Sequence, residues 1–275
     1  TVSSALAKVG TIGSGYTGGN NFSVANLRAN DRFGTSVALF GDTSGELVVG
    51  ADGDDGFGDL FNDTGAVYRF SLLFDPFAPP SGLFTGVSLT GVIGAGYTGP
   101  GDINVTLDNE DFFGRSVATT GFELMIGAPG DDGFGNPGTV DNSGAVHLFG
   151  TVSSALAKVG TIGSGYTGIS SLDQLGAGDA FGSALSGDVA PEGTFVRLAV
   201  GAPLDEGASD LGGGSGDFGA IYSFVFPFIN FQNGQQVSII GRGYTGGNDF
   251  DIGTLAVDDR FGISVSVNGG RLAVG

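Results

Sequence analysis

The tetrapeptide Asp-x-Phe-Gly occurs four times, at Asp31–Gly34, Asp111–Gly114, Asp179–Gly182 and Asp259–Gly262, at intervals of 80, 68 and 80 residues. A period of this length implies stacked or radially arranged units, each burying apolar surface against its neighbours. Two further signals keep the same register. Ile-Gly-x-Gly-Tyr-Thr-Gly precedes each tetrapeptide, with its tyrosine at Tyr16, Tyr97, Tyr166 and Tyr244. Val49-Gly50-Ala51, Ile126-Gly127-Ala128-Pro129, Val200-Gly201-Ala202-Pro203 and a final Val274-Gly275 follow it. Residues 1–18 recur letter for letter as 151–168, two units on. The units alternate in type as A-B-A-B, with boundaries at 1–78, 79–150, 151–228 and 229–275.

Within a unit the apolar runs are four to eight residues long, rich in Val, Ile and Phe and bounded by Gly, Asp, Asn and Pro. Such runs read as strands. In the first unit they fall at Val9–Ile12, Ser36–Phe40, Glu46–Val49 and Ala66–Phe70. Residues 41–45 and Asn268-Gly269-Gly270 read as tight hairpin turns between second and third strands. No window sustains a 3.6-residue period, so the expected class is all-β: four-stranded antiparallel blades, three complete and one truncated. Leu198-Ala199-Val200 is expected in an inner strand packed on both faces.

Composition narrows function. With 29 acidic against 10 basic side chains the net charge is −19, and the field of such a chain repels nucleic acid. The hydrophobic content of 40 % is too high for a disordered acidic tail, and 55 glycines without a three-residue period exclude collagen. No apolar run is long enough for a membrane helix, so no membrane insertion of this segment is expected. The N-terminal Thr1-Val2-Ser3-Ser4 carries neither an initiator methionine nor a signal pattern, as in a mature or trimmed segment. Cysteine is absent, which excludes disulfides and thiolate metal sites.

Phe-Gly, then Val/Ile-Gly-Ala-Pro, then Gly-Ala-Val-Tyr resembles the FG-GAP repeat, the blade unit of integrin alpha-subunit propellers and of many bacterial surface proteins. The resemblance implies β-propeller blades, an extracellular or cell-surface location, and a role in adhesion or surface structure instead of catalysis. One departure stands out. Integrin-type blades often carry an Asp-x-Asp-x-Asp-Gly calcium loop between Phe-Gly and Gly-Ala-Pro, and residues 115–123 contain none.

Acidic clusters follow the Gly-Ala segment instead. They comprise Asp54, Asp55 and Asp59; Asp131, Asp132 and Asn136; and Asp205, Glu206 and Asp210. Asp63, Asp141 and Asp217 stand just before the following strand and could close each loop around an ion. Calcium takes six to eight oxygen ligands on a flexible loop, and interspersed glycine supplies the flexibility. Ca2+ is therefore the expected ion, against the alternative that adjacent aspartates cap turns and keep the surface solvated.

The aspartate of Asp-x-Phe-Gly is expected to accept backbone N–H groups at a turn, while Phe33, Phe113, Phe181 and Phe261 fill the space between sheets. The recurring tyrosines are expected at blade corners with buried rings and bonded hydroxyls. His147, the sole histidine, stands where Tyr68 and Tyr222 stand in other units, and no Gly-x-Ser-x-Gly elbow accompanies it. Groups repeated in every unit serve architecture or multivalency better than catalysis, so no enzyme activity is expected. The phenylalanines at 70, 74, 77 and 84 and at 224, 226, 228 and 231 either cross to a neighbouring molecule or fill the interface between consecutive sheets. Asn21, Asn62 and Asn104 head short Asn-x-Ser/Thr sequons that matter only in a glycosylating host.

Three complete units and a partial fourth cannot close simply into a propeller. The expectation is a segment of a longer array: a bacterial extracellular fibre or surface adhesin that self-associates by strand addition. The alternative is an integrin-like module whose loops bind a protein or glycan ligand.

Overall fold

The computed structural model describes residues 8–40, 45–75, 83–121, 123–134, 142–152, 155–167, 170–172, 174–208, 216–227, 231 and 233–275. Among them are nineteen strands and no helix, as short β-branched and aromatic runs between Gly and Asp clusters require. A two-residue parallel pair, β1 (Ile12–Gly13) and β2 (Phe22–Ser23), comes first. The first large sheet follows the chain in order: β3 (Phe33–Phe40), β4 (Glu46–Ala51), β5 (Ala66–Asp75), β6 (Leu83–Gly94) and β7 (Ile103–Asn104). The second is β8 (Ser116–Thr119), β9 (Glu123–Ala128), β10 (Ala145–Val152), β11 (Ala155–Gly163) and β12 (Ser170–Ser171). The third is β13 (Ala184–Val189), β14 (Phe195–Ala202), β15 (Ala220–Pro227), β16 (Gln235–Gly241) and β17 (Phe250–Asp251). A hairpin of β18 (Val265–Asn268) and β19 (Arg271–Val274) ends the chain.

Four antiparallel strands do recur, yet the expected membership of the sheets is corrected. The Ile-Gly-x-Gly-Tyr-Thr-Gly strand does not pair with the second strand of its own unit. It closes the sheet of the unit before: β6 pairs with β5, β11 with β10 and β16 with β15. The connections explain this. Only a short link separates β5 from β6, so the chain doubles back as a hairpin, whereas 15 to 17 residues separate β6, β11 and β16 from the next Asp-x-Phe-Gly. Hydrogen-bonded sheets and sequence units are thus out of phase. A short parallel strand, which the sequence did not suggest, adds at the edge of each sheet: β7, β12 and β17.

Successive side chains of a strand point to opposite faces, and the core divides accordingly. Tyr68 and Phe70 of β5 pack with Val24 and Leu27 of the N-terminal segment. Val67 turns the other way, joining Ile93, Leu124, Ile126 and Phe149 between the first and second sheets. Val146, Leu148 and Ile162 meet Val196, Leu198 and Val200 between the second and third. Leu198–Val200 lies in β14, flanked by strands on both sides as expected. Phe224, Phe226 and Phe231 are buried in that same interface, so this exit is intramolecular packing. Phe70 is buried too; Phe77 and Phe228 lie outside the described residues, as do residues 41–44 of the first hairpin turn. The turn at Gly269-Gly270 has both φ angles positive, 57° and 78°, as a two-residue hairpin loop with the strands' twist demands.

Candidate functional site

Each acidic loop begins with a buried aspartate at the end of a central strand. Asp54 Oδ1 accepts the N–H of Gly56 at 2.9 Å, which closes an Asx turn. Its carboxylate also accepts the Tyr68 hydroxyl at 2.7 Å and the Tyr97 hydroxyl at 3.0 and 3.1 Å. Asp205 repeats this with Gly207 N–H at 2.8 Å, Tyr222 at 2.8 Å, and Tyr244 at 3.0 and 2.8 Å. Asp131 takes Gly133 N–H at 2.8 Å and Tyr166 at 3.0 and 2.9 Å. Its other neighbour is His147, whose Nε2 lies 3.5 Å away. Neither nitrogen of that buried imidazole makes a good hydrogen bond.

The electrostatics follow from burial. Burial raises the Asp54 carboxyl above the usual range, although the two tyrosines and Gly56 oppose it. The phenols of Tyr68 and Tyr97 are pushed up by burial and by the charge of Asp54. At Asp131 burial is the largest influence and acts upward, yet His147, the Gly133 N–H and the Tyr166 hydroxyl together outweigh it and the carboxyl ends lower. His147 is held below its ordinary value, first by burial. A neutral imidazole in a strand interior, packed edge-on to Phe113, occupies a tyrosine's place.

The aspartates of Asp-x-Phe-Gly bond as expected. Asp31, Asp111, Asp179 and Asp259 accept the backbone N–H three residues upstream at 2.6, 2.7, 2.8 and 2.7 Å. Phe113 and Phe181 are fully buried between sheets; Phe33 packs edge-on to Tyr68 and Phe70. Burial, then the nearby Asp131, raises the Asp111 carboxyl to about 8. Burial, then Asp205, raises that of Asp179 to about 9.

The remaining acidic residues serve turns and ion pairs. Asp55 accepts the N–H of Asp63, and Asp132 that of Asn142, both at 2.8 Å. Asp59 pairs with Arg28 and Asp63 with Arg32. The Asp217 carbonyl accepts from Arg260 N–H, and Glu206 lies beside Asp179. Asn136, Asp141 and Asp210 lie outside the described residues. Among the described residues no three acidic or histidine side chains converge as a metal's ligands would. The first carboxylate of each loop already faces hydroxyl and N–H donors, so the described residues do not fit the expected calcium site.

Consecutive units interlock through backbone. The N–H groups of Phe113, Phe181 and Phe261 donate to the carbonyls of Thr64, Ser143 and Phe218, just before each Gly-Ala strand. A Cβ on Gly50, Gly127 or Gly201 would sit 2.0 Å from the carbonyl oxygen of Gly114, Gly182 or Gly262. Only glycine permits that approach. The hydroxyls of Ser36 and Ser116 donate to the first two of these carbonyls at 2.7 and 2.6 Å; Ala184 holds the equivalent place at the third junction.

The FG-GAP repeat family model matches residues 25–70 and 108–149, and these two stretches are FG-GAP repeats. Each match spans one Asp-x-Phe-Gly turn and the three strands after it, and residues 179–226 repeat that geometry. A comparison with curated proteins finds no match.

Proposed function

We propose that the chain is a non-catalytic structural segment of an extracellular, bacterial-type surface fibre or adhesin that lengthens by adding FG-GAP units. The repeated glycine-to-carbonyl junction carries this reading, because it lets each unit dock on the next with the same backbone contacts. Self-association extends the principle between molecules. Val37 and Leu39 of β3 are 64 % and 67 % exposed and offer an apolar strand face for a further sheet. No helix among the described residues is long and apolar enough to cross a membrane. Small-angle scattering and electron microscopy of the full-length protein test the proposal. Elongated particles with an axial period matching two or four units, lost in Val37→Lys/Leu39→Lys, are expected; monomeric globular particles would overturn it.

A loop-mediated adhesion module binding a protein or glycan is the second reading. One observation favours it: Phe57, Leu60 and Phe134 are exposed on the acidic loops.

A further inference from the structure

In a chain of repeats, a site that acts once must lie where the units differ. Three positions around the Asp-x-Phe-Gly turns differ most. The second residue of the tetrapeptide is Arg32, Phe112, Ala180 or Arg260. The residue after Phe-Gly is Thr35, Arg115, Ser183 or Ile263, and the residue after Gly-Ala is Asp52, Pro129 or Pro203. Only the junction of the first and second units combines two arginines with an aspartate. These three side chains line a cavity of about 430 Å³, whose other walls include Phe112, Pro129 and Leu204.

Both guanidinium groups are held in place. Asp52 is fully buried and accepts Thr35 Oγ1 at 2.9 Å and Arg115 Nη1 at 3.0 Å, with Arg32 Nε at 3.6 Å. Arg32 also donates to Asp63 at 2.7 Å and lies 5.4 Å from the centre of the Phe112 ring. Arg115 spends one nitrogen on Asp52, and its Nε and Nη2 have no hydrogen-bond partner among the described residues. Its side chain is 50 % exposed, accessible from the cavity.

We infer that this cavity binds a monocarboxylate with a short apolar body. A guanidinium edge presents two parallel N–H groups matched to a carboxylate, and fixing it beforehand lowers the entropic cost of binding. Phe112, Pro129 and Leu204 receive the apolar part, and the volume lies within the range of small-ligand sites. The net charge of −19 disfavours a multiply charged phosphate relative to a single carboxylate. The carboxylate belongs either to a free acid or to a protein chain terminus; the chemistry is shared. The site is independent of whether the chain forms fibres.

Calorimetric titration of the full chain at low salt, with hexanoate, inorganic phosphate, hexylammonium and an N-acetylated leucine dipeptide with a free carboxy-terminus, tests the inference. Hexanoate should bind saturably and about tenfold more weakly to Arg115→Gln, the loss expected of a charge-assisted pair. Arg115→Lys, which keeps charge without the fork, should lose most of the affinity, whereas Arg260→Gln, which stands in the fourth unit where Arg32 stands in the first and lies outside the cavity lining, should lose none. Tighter binding of the dipeptide than of hexanoate would identify a chain terminus as the source, and the reverse a free acid. Equal hexanoate affinity in wild type and both Arg115 variants, equal binding of hexylammonium, or tighter binding of phosphate would overturn it.

Discussion

Asp54 in the first sheet receives hydroxyl donors from Tyr68 and Tyr97, both buried, whereas Asp131 in the second receives one from Tyr166 and faces His147 at 3.5 Å. Fold, turn and backbone contacts are otherwise the same, so the pair isolates the effect of one ring. In the first sheet two phenols and an N–H satisfy the carboxylate. In the second, a neutral imidazole leaves its own nitrogens without good partners, and an unsatisfied buried polar group costs about 1–3 kcal/mol. A repeat can therefore keep its geometry while one copy becomes less well satisfied and pH-sensitive.

The largest expected effect is at the aspartate itself. Asp54→Ala leaves the buried hydroxyls of Tyr68 and Tyr97 only each other, 3.3 Å apart, as side-chain partners and should cost about 3–5 kcal/mol in urea denaturation, against about 1–3 kcal/mol for Asp131→Ala. Equal losses would break the comparison. Next comes His147→Tyr, which installs the ring used in the other sheets and should stabilise by about 1 kcal/mol. A loss on this substitution would mean that the pocket is shaped for imidazole.

The same variant separates two opposed pH effects. The folded carboxyl of Asp111 is raised to about 8 from an ordinary 3.8, so the folded state holds its proton more tightly, and stability rises as pH falls from above 8 towards 4. Asp179, raised to about 9, acts in the same direction. His147 is lowered below 6.5, so the folded state resists its protonation and stability is lost as pH falls below 6.5. Melting temperature should rise on acidification from pH 8.5, but less steeply below pH 6.5 in the wild type, where the one proton refused by His147 offsets part of the uptake by the two carboxyls; His147→Tyr should keep the steeper rise. The smallest expected effect is that of EGTA. With the leading carboxylates bonded to hydroxyl and N–H donors, chelation should leave the melting temperature of either protein unmoved.

The turn aspartates were legible because their partners lie three residues away, within reach of a local rule. The leading aspartates of the acidic loops were not, because Tyr97 lies 43 residues beyond Asp54 and in the next sequence unit. The available signal was that Asp-Asp-Gly or Asp-Glu-Gly precedes each of three tyrosines once per period. The ring of Tyr16 is exposed, while those of Tyr97 and Tyr244 are buried. The phase of the sheets was hidden for a different reason. A period gives the length of a unit but not where the unit begins, and only the hydrogen bonds of β5 with β6 fix the origin. The cavity arginines were hidden too, since attention to what repeats passes over what does not.

The strand that each unit lends to its predecessor has a consequence for how such a chain changes in length. Overlapped like shingles, the units have no plane at which a cut between 78 and 79 leaves two finished pieces, because β6 would be parted from β5. Copying two units in tandem, by contrast, supplies every new sheet with its closing strand from the copy behind it. The identity of residues 1–18 with 151–168 is what such a copying event leaves, and the fold accepts it without a new kind of seam.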